Sequence, residues 1–183
     1  MKILAERIGA RRFMARCFHH EGRIRLAQGN RRETAKLCRT AMKISHETGT
    51  GYCGPLILAT LARATDDADK RAEALSEGER MLDEGSISHN YYEFYIEGME
   101  GALERQDWKL VERYAEAMKA FTSIEPLPRT DFFIARGRAL AAFGRGNRKD
   151  AAMQELRHLH TEAERIGLKI ALPALDEALE AAK

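Results

Sequence analysis

The chain has 183 residues, with 44% hydrophobic and 32% charged side chains and a formal net charge of +2. That is enough apolar material for one domain or one continuous stack of repeats. No run of 18 or more apolar residues occurs, so no segment reads as membrane-spanning. The opening stretch Met1–Arg7 carries charge where a secretory leader needs an apolar region, and it lacks a small-residue cleavage site.

Charge is unevenly spread. Residues 1–45 hold 12 Lys/Arg against three Asp/Glu, whereas residues 66–116 hold six against 15. Two stretches of opposite sign give a field that can steer association. The three cysteines, Cys17, Cys38 and Cys53, are odd in number and widely spaced. They form neither a disulfide framework nor a zinc ligand set, and read as reduced, buried thiols of a cytoplasmic protein.

In chain order the apolar spacing is helical throughout, and no alternating Val/Ile/Thr run suggests a strand. The pattern predicts helices over 11–28 and 31–48, 53–65 and 69–84, 88–105 and 108–122, and 130–144 and 148–166. A short closing helix follows at 171–182. Polar turns recur at Gln28-Gly29-Asn30, Asp67-Ala68-Asp69, Gln106-Asp107-Trp108 and Arg145-Gly146-Asn147. Taking Asn30, Asp69, Asp107 and Asn147 as N-caps gives a repeat of about forty residues. Gly49, Gly85 and Gly167 sit where a helix C-terminus wants positive φ. The expected fold is all-α: about four helical hairpins in a right-handed superhelix with a C-terminal capping helix, read as a single domain over 1–183.

The first hairpin resembles the tetratricopeptide pattern, with Gly22, Gly29, Asn30, Thr34 and Ala41 at the spacing where small residues let two helices approach. The third and fourth hairpins carry Val111 and Met118, and Ala151 and His158, at the corresponding positions. The segment Ala5-Glu6-Arg7-Ile8-Gly9 recurs as Ala163-Glu164-Arg165-Ile166-Gly167. Residues 1–9 therefore read as the tail of a helix whose earlier part belongs to a longer repeat protein. Ile3, Leu4 and Ile8 would then form an apolar edge open to self-association.

A second resemblance rests on Glu125-Pro126-Leu127-Pro128, on Asp131 through Leu140, on Ile170 through Leu175, on Ser88-His89-Asn90 and on Gln106-Asp107-Trp108. These look like the C-terminal repeat region of large bacterial adenylate/guanylate cyclase-type regulators, and the likeness covers most of residues 80–180. The resemblance implies a non-catalytic module of a larger signalling ATPase or cyclase. The catalytic residues of such upstream domains have no counterpart here.

Two charged stripes are the candidate partner-binding residues. Arg12, Arg16, His19, His20 and Arg23 fall within about 100° on helix 11–28, suited to an acidic peptide or other anion; a solvated helix face gives the same pattern. Glu93, Glu97, Glu100 and Glu104 line one side of helix 88–105, with Tyr91, Tyr92, Tyr95, Ile96, Met99 and Leu103 opposite, where packing is the plainer reading. Four aligned carboxylates repel unless a basic partner offsets them, so the two stripes suit electrostatic pairing with a partner or between copies. Arg136 and Arg138, on the nearly all-apolar helix 130–144, are expected to pair internally with an acid such as Asp131 or Glu125. No catalytic or metal-binding motif appears and no cofactor is expected. The alternative function is nucleic-acid binding through the basic first hairpin.

Overall fold

The computed structural model describes residues 2–182. Among them the fold is all-helical, with no strand. The α-helices are α1 (Lys2–Arg7), α2 (Arg11–Ala27), α3 (Arg31–Thr48), α4 (Gly54–Ala64) and α5 (Ala68–Asp83), followed by α6 (His89–Glu104), α7 (Trp108–Phe121), α8 (Pro128–Gly144), α9 (Asp150–Arg165) and α10 (Leu172–Glu180). Single 3-10 turns precede α4 and α10. No helix is long and apolar enough to cross a membrane, among the described residues.

The helix ends follow from local chemistry. A left-handed glycine at Gly9, Gly29, Gly146 and Gly167 closes a helix. At each, the glycine N–H donates to the carbonyl three residues back, and the next N–H to the carbonyl five residues back, as Ala10 N does to Ala5 O at 2.9 Å and Leu168 N to Ala163 O at 2.8 Å. That double bond is the Schellman closure, which satisfies carbonyls the helix leaves unpaired. The two copies of Ala-Glu-Arg-Ile-Gly thus end their helices in the same way, and both Ala5 and Ala163 are buried. Gln106 closes α6 identically, with φ of 57° but without glycine's freedom.

Asn30 and Asp107 then cap the following helix, accepting from Glu33 N and Leu110 N at 3.1 Å each. The other two expected caps lie elsewhere. Asp67, not Asp69, caps α5 by accepting from the Asp69 and Lys70 N–H groups. The α9 N-cap is Lys149, and Asn147 only accepts from the Lys149 N–H in the turn before it. The turn thereby runs two residues longer than Asn147 as a cap would allow. Helix α8, expected from 130, starts at Pro128, because proline's fixed φ and missing N–H suit a first helical turn.

Counting from the true caps, the second helices of the hairpins bury equivalent positions. The fourth and seventh residues after the cap are Thr34 and Leu37 in α3, Val111 and Tyr114 in α7, and Met153 and Leu156 in α9, all buried. Ala151 and His158, named from the displaced mark, are exposed. The fold is repeat-like in this sense: one burial pattern serves three hairpins.

Contacts gather into two compact units, one reaching Gly98 and one starting at Met99, with α6 contributing to each. In the first unit α2 packs on α3, α3 on α4 and α4 on α5, around Ala15, Cys38, Ala41, Leu56, Ile57, Leu58 and Met81. The small-residue positions work as expected: a Cβ on Gly22 would meet Cys38 Sγ at 3.4 Å, and the Thr34 hydroxyl lies 3.1 Å from the Gly22 carbonyl. Gly78 is tighter, since a Cβ there would lie 2.3 Å from the Phe94 ring. All three cysteines are free thiols, with Cys38 and Cys53 buried and Cys17 partly so. Burial pushes the Cys38 thiol up to about 12, so it is inert as a nucleophile at neutral pH.

In the second unit α7 packs on α8, and α8 and α10 pack on α9. Arg136 is 1% exposed and pairs with Glu100, while its Nε donates to the Ala171 carbonyl at 2.9 Å. Arg138 reaches Glu112 and Glu116 at 3.2 and 2.7 Å. Both arginines are paired internally as expected, but with acids of neighbouring helices rather than Asp131 or Glu125. Both expected acids are exposed, whereas Arg136 is buried among α6, α8 and the turn before α10.

Candidate functional site

The basic stripe of α2 and the first half of α6 meet in the first unit, with α4 joining them. Arg23 places its Nε 3.0 Å from Glu97 and an Nη 3.6 Å from Glu93. From α4, Arg63 donates to the other oxygen of Glu97 at 3.0 Å. The first helices of three successive hairpins thereby share one polar face. The charge complementarity expected of the two stripes is realised within the chain itself, between residues some seventy positions apart.

The acidic stripe is correspondingly less available than its spacing suggests. Glu97 and Glu100 are buried, at 3% and 8% exposure, and each is held by arginine; Glu93 is half-buried. Glu104 alone of the four is exposed, 3.8 Å from Arg105. The four-carboxylate face is therefore not a solvated one: desolvation of Glu97 and Glu100 is offset by charge-assisted hydrogen bonds. The opposite side packs, with Ile96 and Met99 buried and the Tyr91 hydroxyl donating to the Leu82 carbonyl at 2.7 Å.

The basic stripe divides as well. His19 is 1% exposed, and its Nε2 lies 3.0 Å from the hydroxyl oxygen of Thr60. The Thr60 hydroxyl donates to the Leu56 carbonyl at 3.1 Å, so the imidazole is the donor in that pair. His19 Nδ1 is buried with no partner. Burial, and then the charges of Arg16 and Arg23, hold its pKa well below the usual 6.5. His19 is thus a neutral core histidine rather than a surface ligand.

Arg16, His20 and Arg12 are the reachable part of the stripe. Arg16 Nε donates to His20 Nε2 at 3.1 Å. An N–H aimed at Nε2 requires that nitrogen to be bare, so His20 is neutral with its proton on Nδ1. Arg16 Nη1 is buried without a partner. Arg12 lies over the rings of Phe13 and Tyr52, at 5.3 and 5.6 Å, and Tyr52 meets the His89 ring of α6 edge-on at 6.2 Å. Asn90 fastens this corner, its amide donating to the Gly51 carbonyl at 2.8 Å.

The electrostatic balance is unequal. Four guanidinium groups, of Arg12, Arg16, Arg23 and Arg63, share this face with Glu93 and Glu97. Burial lowers the pKa of His20 and of His89, and Arg16 is the next cause in both, with Glu93 acting in the opposite direction. At all three imidazoles burial is the first cause and Arg16 the second, with Glu93 opposing Arg16 at His20 and His89.

The chain matches no family model, no curated protein and no solved structure. What the face can do is accordingly read from its own geometry. It offers a partly buried guanidinium with an unused donor, a second cation held on aromatic rings, and neutral imidazoles able to take a proton. Arg12, Arg16 and His20 are residues that helical spacing alone picks out. Tyr52 and His89 are not, since the first lies in a turn and the second is a lone histidine 69 positions beyond His20.

A second basic stripe runs along the exposed side of α3. Arg32, Lys36, Arg39 and Lys43 are all exposed and follow one another at three- and four-residue steps. Over that interval the helix rises about 16 Å.

Proposed function

We propose that this chain is a non-catalytic, tetratricopeptide-like interaction scaffold, and that the α2/α4/α6 face binds an acidic peptide segment of a protein partner. The observation that carries the reading is the state of Arg16. Its neighbours Arg23 and Arg63 have carboxylates of their own, whereas Arg16 spends Nε on a neutral imidazole and leaves Nη1 buried without an acceptor. A partly buried guanidinium in that condition gains from a carboxylate, which accepts from two of its N–H groups at once. The burial pattern shared by α3, α7 and α9 supports the superhelical arrangement, in which the first helices of hairpins line the binding surface. The proposed setting is a larger bacterial signalling ATPase or nucleotide cyclase in the cytoplasm, where the partner is another protein or another domain of the same chain.

Amide chemical-shift mapping with a short Glu/Asp-rich peptide tests this reading. Shifts concentrated at Arg12, Arg16, His20, Tyr52 and His89 are expected. Shifts confined to other helices, or absent, would overturn it.

The exposed α3 stripe favours a second reading, binding of nucleic-acid phosphates by the first hairpin. Titration of labelled RNA at two salt concentrations separates the readings, because about three or four phosphate contacts give a steep salt slope. Loss of that slope in an Arg32→Gln/Arg39→Gln double variant is its expected signature.

A further inference from the structure

The Arg16–His20 contact has a consequence for how a ligand is held, which rests on the acidic-peptide reading above. Arg16 Nε and His20 Nε2 are 3.1 Å apart, an arrangement possible only while Nε2 is unprotonated. Protonating that nitrogen would set two N–H donors against each other and add a second positive charge beside the guanidinium. The groups facing His20 are Arg16 and Arg23 on its own helix, His19 next to it with ring centroids 5.7 Å apart, and Glu93 from α6. Glu93 is also 3.6 Å from Arg23, so its charge is shared. Among the described residues no carboxylate lies at ion-pair distance from Arg16, although Glu93 acts against it on the same imidazole.

We propose that a peptide carboxylate displaces His20 from Arg16 and that His20 takes up a proton from solvent as it is released. The carboxylate accepts from Arg16 Nε and an Nη N–H, replacing the single bond to the imidazole. The freed Nε2 then lies beside an anion rather than a bare guanidinium, and becomes a second donor to the ligand. One N–H···N bond is broken; two N–H···O bonds and one N–H⁺···O⁻ bond form. Proton and peptide binding are thereby linked, and each strengthens the other to the same degree. The face becomes a pH-sensitive clamp that holds acidic segments more tightly as pH falls.

The linkage has a definite sign. Free His20 titrates below the ordinary 6.5, because of burial and then Arg16. Bound peptide raises that midpoint, so affinity increases as pH falls from 8 to 6, a range in which Glu and Asp side chains of the peptide stay ionised. An upward move of about one pH unit can tighten binding by at most about tenfold between the two ends of that range.

The test is an imidazole NMR titration of the whole chain, with and without saturating Glu/Asp-rich peptide. The His20 signal is assigned by its loss in His20→Gln. The expected result is an upward move of the His20 midpoint on binding. Affinity should rise between pH 8 and pH 6 in the unmodified chain, by at most about tenfold, and rise clearly less in His20→Gln. A peptide that binds without moving the His20 midpoint overturns the proton linkage and leaves the acidic-peptide reading standing. A peptide that fails to bind at either pH overturns both.

Discussion

The two arginine-rich clusters of this molecule use the same side chains to opposite ends. Around Arg136, in the second unit, the guanidinium is fully buried and matched: Glu100 takes its charge and the Ala171 carbonyl takes its Nε. Around Arg16, in the first unit, the guanidinium is partly buried and unmatched, with an imidazole where a carboxylate would suit and one nitrogen without an acceptor. A closed cluster fixes helices in place. An open one retains unsatisfied donors, which cost stability unless something supplies the missing oxygen. The difference separates a structural ion pair from a candidate binding site, and residue type alone does not reveal it.

The largest effect should come from opening the closed cluster. Arg136→Ala leaves Glu100 buried without its cation and should lower unfolding free energy by about 3–5 kcal/mol, measured by urea denaturation. Arg16→Ala should cost less than about 1 kcal/mol, since no carboxylate is orphaned. Equal losses at the two positions would erase the contrast.

Gly78→Ala ranks next. The added methyl meets the buried Phe94 ring, and overpacking of that kind costs about 1–3 kcal/mol. Neutral or improved stability would show that α5 and α6 are less tightly apposed than the contact implies. His19 sharpens the comparison through pH. Its folded pKa is depressed, so its contribution is complete above about 6.5 and declines as pH falls toward the folded value, where the unfolded chain binds the extra proton. Stability should drop by at most about 1.4 kcal/mol per pH unit below 6.5 from this group, and His19→Gln should flatten that slope. The smallest effect is a gain: Gln106→Gly relieves a left-handed non-glycine residue and should add about 0.5–1 kcal/mol.

Helices, turns and the repeat were legible because their causes are local. Periodic apolar positions set the helices, and left-handed glycines close α1, α2, α8 and α9. Side-chain caps mark the starts of α3, α5 and α7, although at α5 two polar residues compete, Asp67 and Asp69, and before Lys149 the turn lengthens. The start of α8 lies two residues before the expected position 130 because proline suits both a link and a first helical turn.

The site was half legible. Spacing places Arg12, Arg16, His20 and Arg23 on one side of α2, but spacing describes only a helix's own faces. It does not say which helix lies opposite, so it left Arg23 free to meet a partner when Glu93 and Glu97 were waiting within the chain. The burial of Glu97 and Glu100 was hidden for the same reason: a carboxylate row reads as solvated until the cations facing it are known. Tyr52 joins the face by packing on Phe13 and Arg12 of α2, and His89 joins it through Tyr52, contacts that no local pattern encodes.

The account stands most directly on Arg16. Calorimetric affinities for a Glu/Asp-rich peptide should be compared among the unmodified chain, Arg16→Gln and Lys119→Gln at low salt and pH 6. The two variants remove the same charge, but Lys119 is an exposed residue of α7. The account predicts at least tenfold weaker binding for Arg16→Gln and less than a twofold change for Lys119→Gln. Equal weakening by both, or none by either, would contradict it.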